Sequence, residues 1–320
     1  MTSSCVLIRS VTVTPYRHSA DVAHVRHAEQ VLLALSMCRA NKVIPCDRWI
    51  YKRRPASRRD RPAGFPRHPA CCWGTVIAFD DTLRREVADN LRAHPRRQLA
   101  LEGRRHAAVA IVLVDSDAER HDVDPVLEQE IDWADVPGYP WDAAESSRLD
   151  GRMVGVAGGA AFLLCRRPSK IKRHASQYAL PGGRIEQDET PLDAALREVA
   201  EELGLGLGAE DVVGWLDDRA TRSGFVITPV VLWGGVDPVL DPDRGEVMAV
   251  YRVGLQALLD CQPRLTPIPQ SGLPVLQLPL GNDLIHPPTG AILYQLREVA
   301  LRGQIGTRVD RLEEPVFAWR

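Results

Sequence analysis

The chain of 320 residues lacks long apolar runs, and aromatic residues make up only 6% of it. The longest apolar run, 153–165, has 13 residues and contains several glycines. A helix that spans a bilayer needs about 20 apolar residues, so this run predicts a buried strand and no membrane contact. Arg9 also interrupts what would be the apolar core of a secretory signal. We therefore expect no signal peptide.

Paired cysteine motifs are also missing. The seven cysteines are odd in number, and none belongs to a CxxC pair. A disulfide framework is therefore not indicated, and reduced thiols in a cytoplasmic protein fit the count best. A zinc site built with a nearby histidine is disfavoured by the same spacing. The cysteines weighed for it are Cys38, Cys46, Cys71 and Cys72.

Charge is distributed unevenly, although the formal net charge is only −2. Residues 1–74 hold 13 basic and 4 acidic side chains, a balance of +9, which leaves −11 for the remainder. Within them, 51–69 is rich in arginine and proline and poor in core-forming residues, which predicts a largely disordered basic extension. Two interpretations stay open, an arm that binds nucleic acid and a solvated tail. Few aromatic residues stand among the basic ones, so nucleic acid is the less favoured partner.

Residues 75–320 have the pattern of one folded domain. Asp81–Ala93 and 288–302 show helical spacing, whereas 116–152 is acidic and irregular and predicts an insertion or long loop. Residues 262–290 contain seven prolines and predict mostly loop. The apolar runs of strand length are 107–115, 154–165, 212–216, 225–233 and 247–253. Strands and helices in this order indicate a mixed α/β layer fold.

One segment carries the chemistry, LPGGRIEQDETPLDAALREVAEELGL at 180–205. Its Pro-Gly-Gly turn allows the backbone to approach a ligand closely. Thr190 is a candidate N-cap, Pro191 stands at the first helical position, and Asp193 completes a box of the T-x-x-D type. Gly204 is placed to end the helix. The segment therefore predicts a tight turn followed by a well-capped helix.

Three carboxylates, Glu198, Glu201 and Glu202, fall within about one quadrant of that helix. Like charges at this separation repel one another, and a hard divalent cation such as Mg²⁺ or Mn²⁺ resolves the conflict. The alternative is a solvated acidic face. Arg197 flanks the group and is placed to pair with Glu189.

The whole stretch resembles the signature of the Nudix hydrolases, G-x5-E-x7-R-E-U-x-E-E-x-G-U, where U is a bulky aliphatic residue. Nine constrained positions match without a spacing error. They are Gly183, Glu189, Arg197, Glu198, Val199, Glu201, Glu202, Gly204 and Leu205. The resemblance implies an α/β/α sandwich around a mixed sheet. It also implies hydrolysis of a nucleoside diphosphate linked to another group.

The resemblance further implies roles for individual residues. Glu198, Glu201 and Glu202 would bind Mg²⁺ or Mn²⁺, with the carbonyl of Gly183 as an additional ligand. The general base would be Glu202 or a glutamate of a later loop, for which Glu246 has the expected position, and the sequence does not choose between them. Arg197 and Glu189 complete the expected catalytic set.

The residues before the signature, 163–183, resemble the motif LLTxRSxxxRxxxGxxxFPGG of the coenzyme A diphosphatases. The length is identical, but Pro168 and Ser176 replace the serine and the glycine of that motif. The resemblance implies cleavage of coenzyme A or its thioesters to 3′,5′-ADP and 4′-phosphopantetheine. The basic residues expected to bind substrate are Arg166, Arg167, Lys172, Arg173, His174 and Arg222.

Three other hypotheses remain. The chain would be a Nudix hydrolase of another nucleotide diphosphate, such as ADP-ribose, NADH or a nucleoside triphosphate. It would be a ligand-sensing regulator that binds without cleaving, although such proteins usually lose signature glutamates and none is lost here. It would be an RNA-processing enzyme that holds RNA with the basic extension. A homodimer is compatible with each of them.

Overall fold

The computed structural model describes residues 76–126, 149–168, 177–269 and 271–315. All of them belong to the unit His68–Arg320. The expectations for the basic extension 1–74, for the four cysteines weighed as zinc ligands and for most of the acidic insertion lie outside the described residues. The same holds for Lys172, Arg173 and His174.

A mixed sheet of eight strands forms the centre of the fold. Its main path runs β3-β2-β1-β7-β5, and β4, β6 and β8 pair with β1, β7 and β2 respectively. The pair β1 and β7 is parallel, whereas the other described pairs in this sheet are antiparallel. The strands are β1 (Arg105–Ser116), β2 (Gly159–Arg166), β3 (Tyr178–Ala179), β4 (Gly182–Arg184), β5 (Val212–Trp215), β6 (Arg219–Ala220), β7 (Phe225–Gly235) and β8 (Ala249–Gly254).

Helices cover both faces of this sheet. The helices are α1 (Asp81–Ala93), α2 (Ala118–His121), α3 (Pro191–Leu203), α4 (Leu255–Asp260) and α5 (Thr289–Gln295), which continues as a π-helical segment over Leu296–Leu301. Along β1, Ile111 and Leu113 pack with α1 and α5, whereas Val112 and Val114 pack with α3. This alternation is the period of two of a strand that is buried on both faces. The expected α/β/α sandwich with a mixed sheet is therefore confirmed.

Helix α3 forms for the local reasons that its sequence indicates. The hydroxyl of Thr190 accepts a hydrogen bond from the N–H of Asp193, and the carboxylate of Asp193 accepts one from the N–H of Thr190. Gly204 ends the helix in the left-handed conformation, at φ 64°. Ala195, Val199 and Leu203 are buried against the sheet. The caps set where α3 begins and ends, and the apolar residues set which face packs on the sheet. The glutamates of α3 therefore lie outside this apolar face.

Two expectations about strands need correction. The run 154–165 becomes a strand only from Gly159, because Gly155 and Gly158 take positive φ angles and bend the chain before it. The proline-rich stretch 262–290, expected to be mostly loop, has 14 of its 29 residues in strands. It forms a second sheet of β9 (Arg264–Pro267), β10 (Pro274–Leu280) and β11 (Asp283–Ile285). Pro267 and Pro274 stand at strand ends, where a missing N–H disturbs the ladder least.

The described helices and cysteines bear on two earlier expectations. Within the described ranges, no helix is long and apolar enough to cross a bilayer. The described cysteines, Cys165 and Cys261, are buried and carry no disulfide bond.

Candidate active site

The turn before α3 brings the backbone against a carboxylate of the helix. Strand β4 pairs with β1 so that Gly183 lies opposite Ala108. A side chain at Gly183 would place its Cβ 2.1 Å from Oε1 of Glu198. At Gly182, with φ 153°, a Cβ would lie 2.3 Å from the carbonyl oxygen of Ala108. Only glycines allow this close approach of strand, turn and helix.

A group of three carboxylates lies at this point, formed by Glu198, Glu202 and Glu246. One oxygen of each lies within 4.8 Å of the others. Glu198 and Glu202 are one turn apart on α3, whereas Glu246 reaches the group from the loop between β7 and β8. The signature alone therefore supplies two members, and the third comes from a distant part of the chain.

Backbone hydrogen bonds hold the loop of Glu246 against the helix. The N–H of Asp243 donates to the carbonyl of Glu202, at 3.1 Å, and the N–H of Met248 donates to the carbonyl of Arg166, at 2.8 Å. Between these anchors, the N–H of Glu246 donates to the carbonyl of Asp243, at 3.0 Å. The position of Glu246 is thus set by main-chain contacts on both sides.

Burial and repulsion perturb this group electrostatically. Glu202 is only 8% exposed, and burial, followed by the charge of Glu198, raises its pKa to about 8. The charge of Arg167 and the N–H of Gly182, which donates to the carboxylate, oppose that shift. Burial also raises the pKa of Glu198, against the opposing effect of Arg197. Without a cation, the group therefore carries less negative charge than three exposed glutamates would.

Arg197 lies at the centre of a network beside the carboxylate group. Its guanidinium donates to both oxygens of Glu189, at 2.7 and 3.2 Å, and to the carbonyl of Arg184, at 3.0 Å. It also donates to Glu198 and Glu201, at 2.9 Å each. These contacts raise the pKa of Arg197 and lower that of Glu189. The expected pairing of Arg197 with Glu189 is confirmed, and it fixes the loop to the helix.

Glu201, the third expected metal ligand on α3, lies outside this group. Its side chain is 58% exposed and pairs with Arg197, four residues earlier on the helix, instead of joining the other carboxylates. Glu202 lies 100° further around the helix, which turns it toward the sheet. Among the described residues, the third carboxylate of the group is therefore Glu246 and not Glu201.

Arg166 and Arg222 also depart from expectation. Arg166 is 2% exposed, and its guanidinium lies 5.4 Å from the ring centre of Tyr178 and 4.0 Å from Asp124, inside the core opposite α3. Alternation along β2 places Arg166 on one face and Cys165 on the other, so Arg167 is the expected substrate-binding residue that the described part of the chain places near Glu202. Arg222 donates to both oxygens of Glu313, at 2.8 and 2.7 Å.

Arg222 lines a cleft of about 610 Å³ that contains none of the three clustered carboxylates. Its walls carry charges of both signs, including Arg97, Arg104, Asp218 and Glu313. The structure therefore places Arg222 at a different surface from the carboxylate group, with its guanidinium already paired.

The carboxylate group has the chemistry of a site for a hard divalent cation. Three oxygen donors converge within 4.8 Å, and Glu202 is buried there although no basic side chain forms an ion pair with it among the described residues. Oxygen ligands of this kind suit Mg²⁺ and Mn²⁺. The residues present therefore fit the group that the signature implies.

Two basic residues beside the site were missed by sequence reasoning. Arg184 follows the Gly-Gly turn, and Arg105 begins β1. Both guanidinium groups lie over the ring of Phe225, at 5.6 and 3.9 Å from its centre. No local pattern signals this contact, because the three residues are distant in sequence and meet only where β1, β4 and β7 pair.

Residues 152–267 match the family model described as the NUDIX domain. The matched segment contains α3, the turn before it and all three clustered carboxylates. The match shows a Nudix domain at residues 152–267 of the chain.

Several curated relatives carry Nudix names. The chain is 38% identical over 101 residues to the protein named uncharacterized Nudix hydrolase NudL of Cronobacter sakazakii, over 31% of this chain and 52% of that protein. It is 31% identical over 111 residues to Nudix hydrolase 3 of Caenorhabditis elegans, over 33% of this chain and 46% of that protein. The chain thus spans about half the length of these relatives.

A Nudix hydrolase of M. smegmatis, RenU, is similar to 62% of this chain and 88% of its own, with 21% identity and a TM-score of 0.34. The assignment of the α/β/α fold is based on the strand order and the two helical layers of this chain.

Proposed function

We propose that the protein hydrolyses a nucleoside diphosphate linked to another group, with coenzyme A or its thioesters as substrate. The products are 3′,5′-ADP and 4′-phosphopantetheine. The convergence of Glu198, Glu202 and Glu246 within 4.8 Å carries the proposal, because such a group suits a cation that binds a diphosphate. All of the signature glutamates are present, which favours hydrolysis over a regulator that only binds.

We assign Glu198 and Glu202 as ligands of Mg²⁺ or Mn²⁺, together with the carbonyl of Gly183. A divalent cation held there would offset the charge of the anhydride oxygens and favour loss of a proton from water. Glu246 is the exposed member of the group and would accept a proton from water as general base. Its two main-chain anchors keep the carboxylate beside α3 without burying it.

Arg197 acts as a positioning residue. Its contacts with Glu189 and with the carbonyl of Arg184 hold the loop 184–190 against α3. The same guanidinium donates to Glu198 and limits the rotation of that carboxylate. The catalytic geometry therefore depends on an ion-pair network that does not itself touch the reacting atoms.

Arg167 is the described residue that best supports binding of an anionic substrate. Its charge acts on Glu202, which places it beside the carboxylate group. Coenzyme A carries a diphosphate and a 3′-phosphate, and arginine suits such groups through its planar set of donors. The motif at 163–183 is the second support for coenzyme A over another nucleotide diphosphate.

The test is incubation of the full chain with coenzyme A, ADP-ribose, NADH and nucleoside triphosphates, each with Mg²⁺ or Mn²⁺, followed by chromatography of the products. We expect 3′,5′-ADP and 4′-phosphopantetheine from coenzyme A, and no product with excess chelator. Preferred cleavage of another member of the panel would reassign the substrate. Absence of turnover on every member, with binding retained, would favour the regulator. Glu246→Gln serves as the matched inactive variant.

A further inference from the structure

A cation–aromatic cluster lies where β1, β4 and β7 meet, and it consists of Arg105, Arg184 and Phe225. The guanidinium of Arg105 lies 3.9 Å from the ring centre, and that of Arg184 lies 5.6 Å from it. Arg105 and Phe225 face each other in the parallel pairing of β1 with β7. Arg184 joins them because β4 pairs with the same end of β1.

Both arginines of the cluster are exposed, and neither forms an ion pair with a described carboxylate. Arg105 donates to the carbonyl of Ser223, at 3.2 Å, which satisfies a donor but neutralises no charge. Arg197 and Arg222, by contrast, each pair with glutamate. Two uncompensated cations around one ring repel each other, and an anion from solution or from a ligand relieves that repulsion.

The cluster lies next to the carboxylate group in the chain. Gly183 abuts Glu198, and Arg184 is the next residue, about 3.8 Å further along the backbone. Successive side chains of a strand point to opposite faces, so β4 separates the two features by the thickness of one strand. The edge of β4 that does not pair with β1 faces α3, where the N–H of Gly182 donates to Glu202 and the carbonyl of Arg184 accepts from Arg197 at 3.0 Å, so the backbone of β4 links the two features.

We propose that Arg105 and Arg184 form a subsite for a second phosphate of the substrate, a phosphate monoester remote from the diphosphate that is cleaved. The stacked guanidinium groups present their donors around the ring, and arginine binds phosphate through two parallel hydrogen bonds. Phe225 holds both groups in place without competing for the anion. The subsite selects nucleotide diphosphates that carry an additional phosphate. This proposal rests on the proposed function and narrows the substrate class of that function.

The experiment compares kcat/KM of the full chain for coenzyme A and for 3′-dephospho-coenzyme A. We expect Arg105→Gln and Arg184→Gln each to lower the ratio of the two values about tenfold, equivalent to ~1.4 kcal/mol of transition-state binding. Arg92→Gln is the matched control, because Arg92 is exposed on α1 and pairs with Asp89. An unchanged ratio, including the case in which kcat/KM falls equally for both substrates, would overturn the subsite. An arginine with a merely structural role would affect kcat/KM for both substrates alike.

A binding measurement separates this proposal from the proposed function. Calorimetry with 3′,5′-ADP and with AMP needs no turnover. The wild-type chain should bind 3′,5′-ADP more tightly, and Arg184→Gln should remove that preference while binding of AMP persists. If coenzyme A is not cleaved but the preference is present and lost in the variant, the subsite stands and the activity is reassigned. Equal binding of both nucleotides by the wild-type chain refutes the subsite.

Discussion

Replacing Glu202 with glutamine should stabilise the metal-free protein in a way that depends on pH. Folded Glu202 keeps its proton to a pH of about 8, whereas an unfolded glutamate loses it near its ordinary pKa of about 4.3. Between these values the folded state binds more protons than the unfolded state, so stability falls as the pH rises through this window. The loss is absent below the lower pKa and complete above the upper one.

Each unit of this shift corresponds to about 1.4 kcal/mol, so the penalty at pH 9 amounts to a few kcal/mol. Glu202→Gln removes the charge but keeps an oxygen that accepts from the N–H of Gly182. The melting temperature of a domain of this size moves by roughly 2–4 °C per kcal/mol. The variant should therefore melt several degrees higher than the parent at pH 9, and only slightly higher at pH 5.

The assay is thermal unfolding with excess chelator at both pH values, with Glu201→Gln as the control. Glu201 is exposed and paired with Arg197, so its replacement should change stability by less than about 1 kcal/mol at either pH. Saturating Mg²⁺ should stabilise the parent and not the Glu202→Gln variant, because a ligand of the folded state adds to its stability. An equal gain at pH 5 and pH 9, or no gain, would refute the argument from buried charge.

Three further predictions concern the same turn, helix and loop. Glu246→Gln should lower kcat by about 10²–10⁴-fold, as expected for loss of a general base, while the melting temperature stays within a few degrees; a normal rate in the substrate panel would remove Glu246 from the mechanism. Gly183→Ala should weaken Mn²⁺ binding and activity, because its Cβ would lie 2.1 Å from the Glu198 carboxylate, and undiminished Mn²⁺ affinity in a titration would contradict this. Thr190→Ala removes the cap of the Asp193 N–H and should lower the free energy of unfolding by about 1 kcal/mol in denaturant titrations, where no change would refute the role of the cap.

Much of the fold follows from local patterns. The bounds of α1, the caps of α3 and the buried strand β1 were predictable, because each is set by neighbours within a few residues. The second sheet was not predictable in this way. Seven prolines in 262–290 indicate loop, but pairing between β9, β10 and β11 outweighs that local preference.

The candidate site likewise has features that follow from local sequence and features that depend on tertiary contacts. The sequence by itself determined the turn, the helix and the side of α3 on which its glutamates lie, because helical geometry depends on spacing alone. It also determined the pairing of Arg197 with Glu189.

Only the tertiary structure decided which carboxylates converge. Glu202 is buried because the sheet covers that side of α3, Glu201 remains outside with Arg197, and Glu246 arrives through a loop anchored to α3 and β2. The meeting of Arg105, Arg184 and Phe225 likewise depends on how β1, β4 and β7 pair. Contacts between residues distant in sequence are set by strand register and layer packing, and these are properties of the whole domain.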